Sequence, residues 1–197
     1  QYIISYLRHH FQHAGILRID HVMGLHRLFW VPSGMEASQG VYVRYRSEEL
    51  YAILCFESYR NKVILVGEDL GTVPRGVRPA MTRHGLNRMY VANFELTGNP
   101  DNAFRPILPN MVASLNTHDM FPFAAFWQGM DIERRSELGF LDKADIQKEQ
   151  QNRKAIRETL VTFLQQKGVI SKSTDVDTES IIRACLAFLS ASQAWFV

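Results

Sequence analysis

KVILVGEDL, residues 62–70, is the stretch on which the fold turns. An unbroken apolar run from Val63 to Val66 ends in Gly67, Glu68 and Asp69. A strand with one wet face alternates apolar and polar residues, whereas a continuous run marks a strand buried on both faces, as in parallel sheets covered by helices. Outward from it, ILRID (16–20), NRMYVANFEL (87–96) and MVASLNTHD (111–119) read as three more strands, each with polar residues at or just beyond its end.

Helical patterns separate them. Ile3, Ile4, Leu7 and Phe11 recur near helical spacing, with Gly15 as a C-terminal stop. Ser47 is placed to cap a helix reaching about Arg60, with Glu48 and Glu49 in its first turn. Pro74 opens a further helix that Gly85 closes. The segment 21–46, with Pro32, Gly34 and Gly40, reads as a long loop of little regular structure, and 97–110 as a second loop. From Met120 onward the pattern is helical, with Asp131, Asp142 and Thr178 near helix starts, and AWFV (194–197) begins a possible strand. Alternating strands and helices predict an α/β fold with a parallel sheet, either doubly wound or part of a (β/α)₈ barrel. A full barrel takes about 250 residues and eight strands, and this chain has 197 residues.

Composition narrows the function classes. A net charge of +2 gives no electrostatic case for nucleic acid or an acidic membrane. No apolar run approaches the roughly 18 residues of a membrane span. Cys55 and Cys185 lie far apart in apolar contexts, which predicts buried thiols in a reducing, cytoplasmic setting.

In parallel α/β folds, ligands bind beyond the carboxyl ends of the strands. Those ends carry Arg18, Asp20 and His21, then Glu68 and Asp69, then Asn116, Thr117, His118 and Asp119. Arg18 and Asp20 stand two apart and so share a strand face. Two carboxyls about 5–5.5 Å apart perform retaining glycosyl transfer, one attacking the anomeric carbon while the other protonates the leaving oxygen. The attacking group must be ionised, which an adjacent arginine favours; the acid must hold its proton, which a nearby negative charge favours. Asp20 beside Arg18 suits the first role and Glu68 the second. Each piece alone also reads as a helix cap, an Asx turn or a structural ion pair; their common position at the strand ends is what joins them.

LRIDHVMGLHRLFWVPSG (17–34), VILVGEDLGTVP (63–74) and NTHD (116–119) together resemble the 4-α-glucanotransferases, or amylomaltases, of the α-amylase clan. The likeness runs from about Gly15 to Trp127. It implies a partial (β/α)₈ barrel, its fourth to seventh strands, so that residues 1–197 form one partial catalytic domain truncated at both ends relative to the family. It implies Asp20 as nucleophile, Glu68 as general acid/base and Asp119 as stabiliser of the transition state, with Arg18 and His118 binding substrate. The implied substrate is an α-1,4-glucan or maltooligosaccharide, and no cofactor or metal is implied. Val22 and Met23 stand where many members have Phe and Arg, a difference that bears on nearby subsites.

Two rivals use the same residues: an α-amylase-type hydrolase with water as acceptor, and a non-catalytic glucan-binding fragment. His9 and His13, one helical turn apart, are read as an exposed helix face rather than metal ligands. Trp30, Tyr42, Phe94 and Trp127 could stack on sugar rings, but core packing is the expectation for each. The helix around 143–167 mixes charge signs and reads as a solvated face.

Overall fold

Leu7 and Phe11, one turn apart on helix α1 (Tyr2–Phe11), are both buried, as the helical spacing of the apolar residues predicts. The computed structural model describes residues 1–172 and 176–197. By contacts the chain divides into two units, Gln1–Met89 and Tyr90–Val197.

In the first unit, α1 leads into β1 (Ile16–Ile19), and α2 (Ser47–Asn61) leads into β4 (Ile64–Gly67). The two strands pair in parallel, Ile16 opposite Ile64 and Ile19 opposite Gly67. After α3 (Val77–Arg83), β5 (Asn87–Val91) pairs in parallel with β4 through Val66–Asn87 and Gly67–Arg88. The apolar run of β4 is buried as expected: Val63, Leu65 and Val66 are each 4% exposed. Helices and strands meet in a core of Leu7, Phe11, Val22, Tyr51, Leu54, Leu65, Met81 and Leu86, among others. Burying one such apolar side chain stabilises the fold by about 1.5–3 kcal/mol. An ion pair adds specificity: Arg8 of α1 grips the buried Glu57 of α2 with two bonds of 2.7 and 2.8 Å. That hydrogen bond holds the Glu57 carboxyl below the usual carboxylate range.

Two readings of this region are corrected. The segment 21–46 is not featureless: β2 (Arg27–Trp30) and β3 (Val41–Arg44) form an antiparallel hairpin, preceded by a 3₁₀ turn at Val22–Leu25 and joined by a loop that holds another at Ala37–Gln39. Pro32, Gly34 and Gly40 fall in or beside the connecting loop, and both faces of the hairpin carry apolar side chains, so no period-two signal announces it. Ser47 does not cap α2; it is the first helical residue, and Arg46 takes the cap position without a side-chain bond to the helix amides.

Gly67 sits where the core leaves no room for a side chain. A Cβ there would lie 2.8 Å from Met81 Cε and 2.9 Å from Val22 Cγ2. The methionine end can swing away, but the β-branched valine cannot. Gly67→Ala is therefore expected to destabilise the fold by about 1–3 kcal/mol, read as a lowered urea midpoint; an unchanged midpoint would mean that Val22 yields freely.

The second unit contains the last residues of β5, then β6 (Met111–Ser114) and helices α4 (Phe123–Gln128), α5 (Met130–Glu137), α6 (Lys143–Gln166) and α7 (Thr178–Ser190). Asn93 N–H donates to the Leu115 carbonyl at 3.1 Å, linking the end of β5 to the end of β6. The AWFV stretch supplies a parallel bridge, Phe196 to Val112, rather than a full strand. Asp142 caps α6 by accepting from Asp145 N–H at 2.8 Å, and Asp177, one residue before Thr178, caps α7. The mixed charges of α6 are not simply solvated: Arg153 clasps Asp131 with two 2.8 Å bonds, and Leu160, Phe163 and Leu164 are buried. Cys185 is buried, which pushes its thiol up to about 12; Cys55 is partly buried, and both are free. Among the described residues, no helix is long and apolar enough to cross a membrane.

Candidate active site

The β1–β4 register determines what happens at the strand ends. Ile19 lies opposite Gly67, so the next residues, Asp20 and Glu68, face each other across neighbouring strands. Glu68 N–H donates to the Ile19 carbonyl at 2.8 Å, which continues the ladder to that position. Neighbouring strands run about 4.8 Å apart, so the two carboxyl-bearing residues stem from adjacent strands at the same sheet edge.

The ladder then breaks. A regular parallel pair would send His21 N–H to the Glu68 carbonyl. His21 instead adopts φ 45°, ψ 59°, a left-handed conformation uncommon for a residue with a Cβ. Val22 N–H takes the Glu68 carbonyl at 3.0 Å, and the freed His21 N–H donates to Glu68 Oε2 at 2.9 Å. One extra residue is thus accommodated, as in a β-bulge, a device that re-aims side chains. Leu70 N–H donates to Glu68 Oε1 at 2.7 Å, so both carboxylate oxygens are held by main-chain amides.

Arg18 Nη2 donates to Asp20 Oδ1 at 3.0 Å, which answers why one strand face carries a cation and a carboxylate. Asp20 is otherwise open, with its side chain 76% exposed. Arg18 and Asp20 border a cleft of about 840 Å³ whose walls include Tyr6, Leu25, Leu28 and Tyr45. Val22 and Met23 lie in the first unit's core, 0% and 6% exposed, so their difference from the family pattern is a packing difference.

The structure thus brings Arg18, Asp20 and Glu68 together in the first unit. In the second, His118 Nε2 and Asp119 Oδ1 pair at 3.1 Å on an exposed turn after β6. The amides of His21 and Leu70 were invisible to motif reading, since a main-chain donor leaves no letter in the sequence. The aromatic expectation is corrected: Trp127 is buried, but Trp30, Tyr42 and Phe94 are 56%, 56% and 51% exposed. The β2–β3 hairpin has too little covering structure to bury Trp30 and Tyr42, and Phe94 ends a short 3₁₀ turn that follows β5. Trp30 donates to the Tyr45 hydroxyl at 2.9 Å, and the Arg27 guanidinium sits 4.0 Å from the Tyr42 ring centre. His9 and His13 meet edge to face, and no group of three potential metal ligands occurs among the described residues.

A sequence model of the 4-alpha-glucanotransferase family matches residues 1–197. A 4-alpha-glucanotransferase of Haemophilus influenzae is 35% identical over 170 residues, covering 86% of this chain and 24% of that protein. One from Mycobacterium bovis is 32% identical over 183 residues, covering 90% and 25%. The chain therefore spans about a quarter of the length of these curated relatives. An amylomaltase structure from Corynebacterium glutamicum superposes with a TM-score of 0.84 at 25% identity, covering 99% of this chain and 29% of that one. An amylomaltase from Streptococcus agalactiae in complex with acarbose, at 15% identity and a TM-score of 0.69, shares the fold. These likenesses bear out the expected α/β class and the reading of the sheet as part of a (β/α)₈ barrel. With its whole length matched and its strand-end motifs in order, the chain belongs to the 4-alpha-glucanotransferase family.

Proposed function

We propose that the protein carrying this chain transfers α-1,4-glucan segments to the 4-hydroxyl of an acceptor glucan or glucose, by retaining double displacement. The observation that carries this reading is the placement of Asp20, bound to Arg18, opposite Glu68 on adjacent parallel strands. Asp20 attacks the anomeric carbon, the C1–O bond breaks, and Glu68 gives its proton to the departing oxygen. A β-linked glucosyl-enzyme results. Glu68, now ionised, takes the proton of the incoming 4-hydroxyl as that oxygen attacks C1 and releases Asp20. Asp119 is assigned to transition-state stabilisation and His118 to sugar binding by their match to the family's T-H-D motif. The exposed aromatic and apolar walls beside Asp20 suit the C–H faces of glucose rings.

In this proposal the chain forms part of a single catalytic barrel domain that works without metal or organic cofactor. A cytoplasmic setting fits its two free thiols. The test is product analysis from maltotriose. Glucose together with chains longer than maltotriose is the expected result. Glucose and maltose without elongation would replace the transferase reading with a hydrolase.

A further inference from the structure

Asp69, next to the proposed acid/base, is 1% exposed, and the reaction as written gives it no part. Its carboxylate is fully engaged. Oδ2 accepts from Arg78 Nε and from Arg88 Nε, each at 2.9 Å, and Oδ1 accepts from Met89 N–H at 3.1 Å. Arg78 also reaches back to the Asp69 carbonyl at 3.1 Å. One buried carboxylate thus fastens the end of β4 to helix α3 through Arg78 and to strand β5 through Arg88 and Met89.

This matters because the register between β4 and β5 ends early. Their paired residues are Val66–Asn87 and Gly67–Arg88, so Glu68 lies just past the last ladder pair on that side. Beyond Gly67 the tie to β5 is made by the Asp69 side chain. On the other side, His21 N–H and the Val22 bond hold Glu68 to the end of β1. The partners of Glu68 and of Asp69 are entirely different: amides of the β1 corner and of Leu70 for the one, α3 and β5 for the other. The catalytic carboxyl is therefore suspended from a backbone clamped by its neighbour.

We infer that Asp69 is the positioning residue for Glu68: anchored by Arg78, Arg88 and Met89, it holds the main chain from which Glu68 meets the glycosidic oxygen. The inference rests on the transferase reading above. A buried ion pair could instead be only a folding constraint, in which case its loss would impair every reaction step alike. The two differ in which step suffers. Protonation by Glu68 is needed when the leaving group is a sugar oxygen. It is not needed when the leaving group is fluoride, because the C1–F bond breaks to release the stable anion directly.

The experiment compares Asp69→Asn with the parent protein on maltotriose and on α-maltosyl fluoride, following the initial burst of fluoride. Misplacement of a catalytic group by about 1 Å costs roughly 10²-fold, so maltotriose turnover should fall about 10- to 100-fold. The fluoride burst should stay within about twofold, since that step takes no proton from Glu68. Equal losses on both donors would overturn the inference. Should Asp69→Asn not fold, Arg78→Gln decides the matter, because Arg78 is half exposed and supplies only part of the clamp. It should show the same donor split at smaller size, and an unsplit loss would again overturn the inference. Asp20→Asn is the control for the underlying reading: a normal fluoride burst in that variant would remove the nucleophile assignment itself, whatever Asp69 does.

Discussion

Asp20→Asn is expected to lower maltotriose disproportionation on the order of 10⁴-fold or more, because the amide cannot form the glucosyl ester on which double displacement depends. Its effect on folding should be small. The Asp20 side chain is 76% exposed, and Arg18 is its partner in an ion pair open to solvent. Exposed pairs of this kind contribute about 0–1 kcal/mol. Loss of transfer with an unchanged melting temperature is thus the signature of a nucleophile. A variant that kept a tenth of parental transfer would place the nucleophile elsewhere.

Glu68→Gln should cost less, on the order of 10²–10⁴-fold with maltotriose, the usual range for losing a general acid or base. The amide keeps the shape of the carboxyl but not its two acceptors. One oxygen can receive either His21 N–H or Leu70 N–H, while the NH₂ group faces the other donor without a bond. With α-maltosyl fluoride the outcome divides by step. The burst of fluoride should persist, because no proton is required, and turnover should then stall, because no base activates the acceptor. The stalled species carries one maltosyl group on Asp20, visible as the corresponding mass increase of the intact protein. Absence of that adduct, with both steps slowed together, would count against Glu68 as the acid/base.

Much of this was legible in the letters. The unbroken Val63–Val66 run identified a buried parallel strand, and the two-residue spacing of Arg18 and Asp20 correctly implied a shared face and a contact. The hairpin of β2 and β3 was not legible, because apolar residues occupy both of its faces and its loop carries the Pro and Gly that usually mark irregular chain. The exposure of Trp30, Tyr42 and Phe94 was missed for a related reason: composition predicts burial for aromatics, and only the surrounding structure shows whether anything covers them. The hydrogen bond from His21 N–H to Glu68 depends on one residue's left-handed turn, a backbone event that the identity of His21 does not disclose, and the one from Leu70 N–H is a local main-chain contact that no side-chain letter marks. Glu68 and Asp69 are adjacent acidic letters at one strand end, yet the two carboxyls have separate partners, a division that only the fold shows.

The left-handed corner at His21 also determines where this chain can change length. In the hairpin loop, residues 31–40, an added residue only extends an exposed excursion, and such loops tolerate insertion at little cost. At the corner the count is fixed. Removing one residue between Asp20 and Val22 would restore a regular ladder, but it would strip the Glu68 carboxyl of its His21 amide and draw Val22 from its seat beneath Gly67. Adding one between Arg18 and Asp20 would reverse the side to which the carboxylate points. Recombination or loop grafting in this family scaffold therefore has a forbidden seam, running through the residues that join the strand of Asp20 to the core.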